Sequence, residues 1–543
     1  MGDVVTEPRH WWQTRTFVLA MALIAIVPLV WPTIPPLVDL PGHMGRYRVQ
    51  LARFDDPWLG DWYSFQWSLI GNLGVDLLIE PLARILGLEL AVKLVVMTIP
   101  ALIVTGFLWI AREVHGRVPA TALFALPFAY SYPFHFGFVN FALSMGLALN
   151  AFALWLRLAR TGHLGLRALL FVPLSCLLWI CHTFGWGVLG VLAFSSEMIR
   201  QHDLRKDGRG GHWIESWIRA AVGCAPLALP MVMMVLWRTG DHVTGQTADW
   251  FNWHAKYNWL KMVLRDRWQA FDIASAVLIY LILASAVYSV VFSRSRGARI
   301  EFSRNLGLSA LFLLAVFILL PRIVFGSAYA DMRLAPFMVG IAVIGLRPRA
   351  ALSMRSAAML AMLGFAFFIV RIAATTVSFW LYDRAYTRAL TALDHIPAGG
   401  RLVTFVGRRC ADDWAYSRLE HIPAIALERK LAYTNDQWSM AGAQLLTTRY
   451  FSAGHFAHDP SQIVTDRWCH GEWWHTISWS MAYLPRDAFD YVWLLQPPPY
   501  PARLTAGLIP LWRDGNNVLY RIDHGQQGPV VIPGEFMPPP RRR

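Results

Sequence analysis

The residues most able to do chemistry in this chain lie beside long apolar runs. Asp39 and His43 occur in the segment PPLVDLPGHMGRYR (35–48), directly after the first apolar run, where prolines and glycine favour an irregular backbone. Placing a charged group at a membrane edge costs free energy, so such groups often mark a functional site. The structural alternative is that Asp39 caps a short helix and His43 is an ordinary interfacial histidine.

Further polar side chains lie at the ends of later apolar runs. The segment PRIVFGSAYADMRLAP (321–336) contains Arg333, whose planar guanidinium can hold a phosphate group. The alternatives for Arg333 are an ion pair with Asp331 or snorkelling to lipid headgroups. For His182 the alternative is a hydrogen-bonded core position. The remaining candidates at these ends are His135, Asn140, Arg322 and Tyr329.

The composition indicates a membrane protein. Hydrophobic residues make up 56% of the 543 residues and charged residues only 15%, whereas soluble proteins carry about 25% charged residues. The mean hydropathy is +0.39. The 26 tryptophans suit membrane interfaces. The net charge of +14 comes from short basic clusters between apolar runs, which favours cytoplasmic loops over a nucleic-acid-binding surface.

Eleven apolar runs are candidate membrane-spanning helices, each needing about 20 mainly apolar residues. The first is interpreted as a spanning helix because it is too long for a signal-peptide core and lacks a clear cleavage site. The runs at 119–134, 184–199 and 334–346 are short for a span. The full set is 17–37, 91–111, 119–134, 138–156, 166–183, 184–199, 213–237, 271–292, 305–321, 334–346 and 355–378.

The arginine and lysine pattern predicts the orientation. Alternate short loops contain basic clusters, such as Arg112 with Arg117, whereas the loops near 133–138 and 182–186 contain none. This asymmetry predicts a cytoplasmic N-terminus and, with an odd number of spans, an outer C-terminal domain. The predicted fold class is an α-helical polytopic membrane protein of about 11 transmembrane helices with a C-terminal extracytoplasmic α/β domain. The long outer segments are then 38–90, 238–270 and everything after about 380.

The first outer loop contains an amphipathic segment, SLIGNLGVDLLIEPLARILG (68–87). Asp76, Glu80 and Arg84 recur every four residues and therefore share one helical face. The pattern predicts a helix that lies in the membrane interface.

The C-terminal part has a different pattern. RLVTFVG (401–407) and DYVWLLQ (490–496) are typical of buried strands, and 507–522 is typical of a hairpin with DGNN as its turn. The tail GEFMPPPRRR is predicted to be disordered. The predicted domains are a transmembrane module at 1–380, an α/β domain at 381–530 and a disordered tail at 531–543.

Two of the five cysteines, Cys410 and Cys469, lie in this C-terminal part. If the domain faces an oxidising compartment, a disulfide between them is expected. The alternatives are two free thiols, or a metal-binding cysteine pair aided by His470 and His475, although the spacing matches no structural zinc pattern.

The whole arrangement resembles the GT-C superfamily of integral membrane glycosyltransferases. The resemblance consists of an aspartate after the first span in VDLPGH, a long first outer loop with an interfacial helix, an arginine in ADMRL, and a terminal α/β domain with an LYRI strand. It implies transfer of a sugar from a polyprenyl-phosphate carrier to a saccharide, lipid or protein acceptor. The implied location is the outer face of the cytoplasmic (inner) membrane, in a multi-pass protein.

The resemblance also implies roles for residues. Asp39 is the candidate general base, and Arg333 the candidate for stabilising the leaving phosphate. His43 and His182 are candidates for orienting acceptor or phosphate, with Glu80 as a weaker candidate. The other predicted substrate- or phosphate-binding residues are His135, Asn140, Tyr329 and Asp331. No cofactor is assigned: many GT-C members have a second acidic residue, but Asp39 is followed by Leu40 and the next outer loop contains no carboxylate, so a divalent metal lacks support.

The alternatives from other classes are a transporter, a flippase or another lipid-handling protein, and a membrane scaffold. Transporters often contain inverted repeats and helices broken near the midplane, and the sequence contains neither clearly. A scaffold fits the cluster of ionisable residues poorly.

Overall fold

The structure is a computed structural model that describes residues 10–52, 56–206, 212–239, 245–292, 300–348, 353–411, 413–439 and 444–538. It is mostly helical, with a sheet formed by the C-terminal part. The chain divides into two compact units. Unit 1 takes its described residues from Met1–Trp31, Leu69–Leu77 and Leu94–Ser378, and unit 2 from Pro32–Ser68, Leu78–Lys93 and Phe379–Arg543.

Every predicted apolar run coincides with helical structure. The run at 119–134 forms a 3-10 helix, Ala120–Tyr130, and the others form α-helices. The α-helices are α1 (Arg15–Ile26), α2 (Leu40–Gln50), α3 (Leu59–Trp62), α4 (Gly74–Leu86), α5 (Leu88–His115), α6 (Tyr132–Phe136), α7 (Val139–Arg160), α8 (Leu164–Cys181), α9 (Thr183–Lys206), α10 (Trp213–Gly223), α11 (Leu229–Thr239), α12 (Trp253–Lys261), α13 (Gln269–Phe292), α14 (Arg304–Leu319), α15 (Ala330–Ile344), α16 (Met354–Leu390), α17 (Ala424–Lys430) and α18 (Ile477–Ala482).

The predicted count of eleven spans is not confirmed. Within the described residues, α5, α7, α8, α13 and α16 are long and apolar enough to cross a membrane, and the α10–α11 region, bent by 43°, would make a sixth span. Helix α15 has only 15 residues, and nearly all of them are buried inside the protein. A helix surrounded by protein need not match the thickness of the bilayer, so its length alone does not decide whether it is a full span.

The strands form one large sheet in unit 2 and two small pairs. The strands are β1 (Tyr63–Phe65), β2 (Ile300–Phe302), β3 (Leu346–Pro348), β4 (Leu402–Gly407), β5 (Leu446–Thr448), β6 (Ile463–Thr465), β7 (His475–Thr476), β8 (Tyr491–Leu495), β9 (Leu508–Asp514) and β10 (Asn517–Ile522). The sheet has the order β7-β6-β4-β8-β10-β9, parallel from β7 to β8 and antiparallel beyond. The predicted buried strands and the terminal hairpin, which turns at Gly515, are therefore confirmed.

Most of the predicted first outer loop, residues 38–68 and 78–90, belongs to unit 2 together with the C-terminal part of the chain. Strand β1 pairs with β5, and Trp62 and Tyr63 are buried in one core with Val403 and Phe405 of β4. The Tyr63 hydroxyl donates to the carbonyl of Thr434 at 2.8 Å. The apolar side chains of the loop are buried against the sheet, which removes them from solvent.

The remaining predicted elements are found close to their expected positions. The amphipathic helix begins at Gly74, within the predicted 68–87 segment. The disulfide Cys410–Cys469 is confirmed, with Cα atoms 5.3 Å apart, and it links the region after β4 to the loop between β6 and β7. The predicted tail is described as far as residue 538, where the carbonyl of Glu535 accepts from the Tyr483 hydroxyl, and 539–543 lie outside the described residues.

Candidate functional site

Asp39 directly precedes α2, and its side chain makes no capping hydrogen bond. Its main-chain carbonyl accepts the first helical bond, from the His43 N–H at 3.0 Å. The side chain is only 12% exposed, so a carboxylate is held in a largely buried place without serving as a helix cap. His43 lies one turn later on the same face of α2.

Three residues from the C-terminal part of the chain lie around the start of α2. The Nε2 atom of His421 lies 4.0 Å from Oδ1 of Asp39 and 3.9 Å from Oδ1 of Asp459. The Nδ1 atom of His421 lies 4.0 Å from Oδ2 of Asp436. We call Asp39, His421, Asp436 and Asp459 the acid–histidine cluster. The side chains of His421 and Asp436 are buried, whereas those of Asp39 and Asp459 retain some solvent exposure.

Close packing fixes the position of the central imidazole. The Trp438 ring lies 4.4 Å from the His421 ring and 5.0 Å from the His43 ring, between centroids. A Cβ atom at Gly42 would lie 2.7 Å from the Trp438 ring, so only glycine lets α2 approach this closely. The tryptophan therefore sets the separation between α2 and His421.

Burial shifts the protonation equilibria inside the cluster. Burial lowers the pKa of His421, although the Asp459 charge opposes this shift. Burial, with a smaller contribution from the Arg46 charge, lowers the pKa of His43 well below its usual value. Burial raises the pKa of Asp436 to about 7, against the hydrogen bonds from Thr434 and the Ala424 N–H. Both imidazoles are therefore neutral near pH 7.

This arrangement can accept a proton. A carboxylate that retains some exposure can take a proton from a hydroxyl, and a neutral imidazole behind it adds no competing positive charge. The distances of about 4 Å between the imidazole and the three carboxylates are longer than a hydrogen bond. The imidazole is held instead by a hydrogen bond between its Nδ1 atom and the main-chain carbonyl of Asp436, at 3.2 Å. Within the described ranges, no group of three or more His, Cys, Asp and Glu side chains is arranged to hold a metal ion.

Glu80 lies on α4, away from Asp39. The carboxylate accepts from Nε2 of Gln50 at 3.2 Å and forms an ion pair with Arg84. Gln50 is the last residue of α2, about 16 Å along the helix from Asp39 at 1.5 Å per residue. The structure therefore pairs Glu80 with the far end of the helix and not with the acid–histidine cluster.

In unit 1, the guanidinium of Arg333 lies among aromatic rings. It is 4.2 Å from the Phe138 ring centroid and 6.0 Å from those of Phe141 and Phe184, and the residue is buried. The His182 ring contacts Phe141 and Phe184 and accepts, at Nδ1, from the Phe184 N–H at 3.1 Å. The Phe138 ring therefore makes a cation–π contact with the guanidinium.

Asp331, predicted to bind substrate or phosphate, forms a buried ion pair with Lys256. Its carboxylate accepts from Nζ of Lys256 at 3.2 Å and from the Trp259 indole at 3.0 Å. Lys256 also donates to the carbonyls of Phe317 and Leu320. Tyr329, with a φ of 64°, precedes α15 and contacts Trp259. This network holds the start of α15, so Asp331 has a structural role there.

Two further candidates also make structural contacts. The side-chain amide of Asn140 accepts from the Val75 N–H at 2.6 Å and donates to the carbonyl of Asn72 and to the Asp76 carboxylate. These three hydrogen bonds hold the start of α4. The Nδ1 atom of His135 lies 3.8 Å from Oδ1 of Asp266, and both side chains are buried.

Sequence reasoning missed His421, Asp436 and Asp459. They occur in the short segments LEHIPAI, TNDQW and HDPSQ. None of these three segments matches a motif used in the sequence analysis. Their proximity to Asp39 becomes visible only in the folded structure, because about 380 to 420 residues separate them from Asp39 in sequence. Lys256 was missed for the same reason, since its partner Asp331 lies beyond two intervening helices.

Comparison with known proteins finds similarity at the level of structures. No protein-family model matches the chain, and no curated protein matches it significantly. The structural neighbours include two crystal structures of ArnT from Cupriavidus metallidurans. The one bound to undecaprenyl phosphate has 12% identity and a TM-score of 0.46, and the apo one has 11% and 0.47. Each alignment covers 93% of this chain and 97% of the other.

Proposed function

We propose that the protein is a membrane glycosyltransferase of the GT-C type, which transfers a sugar from a polyprenyl-phosphate carrier to an acceptor hydroxyl. The observation that carries the proposal is Asp39: a largely buried carboxylate, not used as a helix cap, beside a neutral histidine. A residue that only capped α2 would have its oxygen on the first-turn N–H groups.

In the proposed reaction, the acceptor hydroxyl oxygen bonds to the anomeric carbon while the bond from that carbon to the carrier phosphate breaks. Asp39 takes the hydroxyl proton, and the polyprenyl phosphate leaves with the bonding electron pair. His421 acts as a positioning residue for Asp39. Arg333 is proposed to bind phosphate oxygens, because a guanidinium restrained on one face by an aromatic ring keeps its donors along its edge.

The experiment that tests the function is a transfer assay with purified protein in detergent or vesicles. The substrates are a set of sugars on a radiolabelled polyprenyl phosphate, with mixed cell-envelope saccharides and lipids as acceptors. We expect release of free polyprenyl phosphate that depends on both the protein and the acceptor. Absence of release with every sugar tested, in protein that binds the carrier, would contradict the proposal.

The proposed orientation is a cytoplasmic N-terminus with residues from 400 onward on the outer side. We expect a reporter enzyme active only outside the membrane to be active when fused after residue 530. The same reporter fused in the short connection 161–163 between α7 and α8 should be inactive, because Arg157, Arg160 and Arg167 flank that connection. The reverse pattern would overturn both the orientation and the proposed outer-face reaction.

A second candidate is a lipid-handling protein without sugar chemistry. The observation that favours it is the 43° bend between two halves of an apolar helical segment, since broken helices recur in transporters. Translocation of a labelled polyprenyl lipid across vesicles, without release of the sugar, would favour this candidate over the glycosyltransferase.

A further inference from the structure

Two histidines on the surface of unit 2 point their ring nitrogens at each other. Nε2 of His455 lies 3.1 Å from Nδ1 of His475. Neither residue belongs to the acid–histidine cluster. His455 lies in the 3-10 segment Phe451–Phe456, and His475 begins β7. The pair therefore joins two separate elements through two nitrogens.

The spacing suits two ligands of one metal ion. With a zinc–nitrogen distance of about 2.0–2.1 Å and tetrahedral angles, two imidazole nitrogens lie about 3.3 Å apart. A single hydrogen bond between two neutral imidazoles gives a similar distance, so the spacing alone does not separate the two arrangements. The packing around the two rings favours the metal site.

Both rings are already held in this orientation. The His475 ring stacks on Trp479 with centroids 3.9 Å apart, and the His455 ring meets the same tryptophan edge-on at 5.1 Å. The Trp479 ring also packs against the rings of Phe456 and Tyr483, and its main-chain N–H donates to the Thr476 hydroxyl at the start of α18. The disulfide Cys410–Cys469 restrains the loop that leads into β7. Binding a metal would therefore require little rearrangement.

The pair is also accessible from solvent. His455 is exposed and His475 half-buried, so further coordination positions open to water.

We propose that His455 and His475 form a two-histidine site for a divalent transition metal of the zinc, nickel or copper class. Imidazole suits these ions, whereas magnesium and calcium prefer oxygen ligands. Water fills the remaining positions. The proposal is independent of the proposed glycosyltransferase activity.

The test is zinc binding by purified full-length protein without a histidine tag. After treatment with a chelator, equilibrium dialysis against Zn²⁺ should give one saturable site per chain. His455→Ala and His475→Ala should each weaken that site by more than about tenfold, since even outer-shell changes cost about 10–100-fold in affinity. His524→Ala, which changes a histidine in a different pocket, should bind Zn²⁺ like the wild type.

Two further measurements keep the result decisive if a variant is unstable. Zn²⁺ should raise the Tm of the wild type but not of the two variants, because a ligand stabilises only the state that binds it. Cu²⁺ bound to the wild type should give a paramagnetic resonance spectrum with two nitrogen donors. No saturable zinc site in the wild type, a copper spectrum without two nitrogens, or undiminished binding in both folded variants would overturn the proposal.

Discussion

Asp39→Asn is expected to lower the rate of sugar transfer by about 10²–10⁴-fold, the usual effect of losing a catalytic proton acceptor. The amide has nearly the shape of the carboxylate but cannot take the proton of the acceptor hydroxyl. Because the Asp39 side chain makes no capping hydrogen bond, the substitution should not weaken the start of α2. The measurement is the release of polyprenyl phosphate by purified, membrane-inserted variant at saturating carrier.

Two matched variants make this result specific. Asp61→Asn changes an exposed aspartate in the same loop and should leave the rate unchanged. Asp459→Asn removes the other carboxylate near His421 Nε2, at 3.9 Å, and should reduce the rate less than Asp39→Asn. Near-normal turnover by Asp39→Asn would remove this residue from the base role, and a larger loss in Asp459→Asn would transfer the role to that residue.

Arg333→Ala and Arg333→Lys are both expected to lower kcat, by about 10²–10³-fold for alanine, as for the loss of one donor to a developing anion. Lysine retains the charge but not the planar fork that binds two phosphate oxygens, so it should restore little. It also cannot stack on Phe138 as the guanidinium does, at 4.2 Å from the ring centroid. Carrier affinity and kcat should be measured separately in both variants.

The control for Arg333 is Arg304→Lys. Arg304 is exposed and pairs with Asp203 at 2.7 Å, so its replacement should change neither kcat nor the affinity for the carrier. If activity and carrier affinity are unchanged in both Arg333 variants, the guanidinium serves only to pack against Phe138, Phe141 and Phe184. Loss of folded protein in Arg333→Ala with full activity in Arg333→Lys would support the same conclusion.

Local patterns predicted the elements of this fold well. The DGNN turn in 507–522 identified the hairpin of β9 and β10, and a compartment argument identified the disulfide Cys410–Cys469. These features depend on residues close in sequence or on chemistry that a short segment reveals. The number of spans was less predictable, because α15 is as apolar as a span but lies inside the protein, where the bilayer does not set its length.

The candidate site was predictable only in part. Asp39 and His43 stand out because they follow an apolar run, but His421 and Asp436 carry no comparable signal. Likewise, the sequence offered Arg333 as an ion-pair alternative for Asp331 because only Met332 separates them, whereas in the fold the Asp331 carboxylate pairs with Lys256. A charge pattern identifies polar residues that need partners, and the packing of distant segments decides which partners they receive.

The pairing of β1 with β5 sets the order in which unit 2 can be completed. Tyr63 pairs with Thr448, and the 385 residues from 64 to 448 must be synthesised first. At about 5–20 residues per second, β1 waits roughly 20–80 s for its partner. During that time Trp62 and Tyr63, buried in the finished protein, have no cover and are exposed to proteases and to aggregation. A premature stop near residue 440 would therefore disable the protein at its first loop, because β1 would never receive its partner strand.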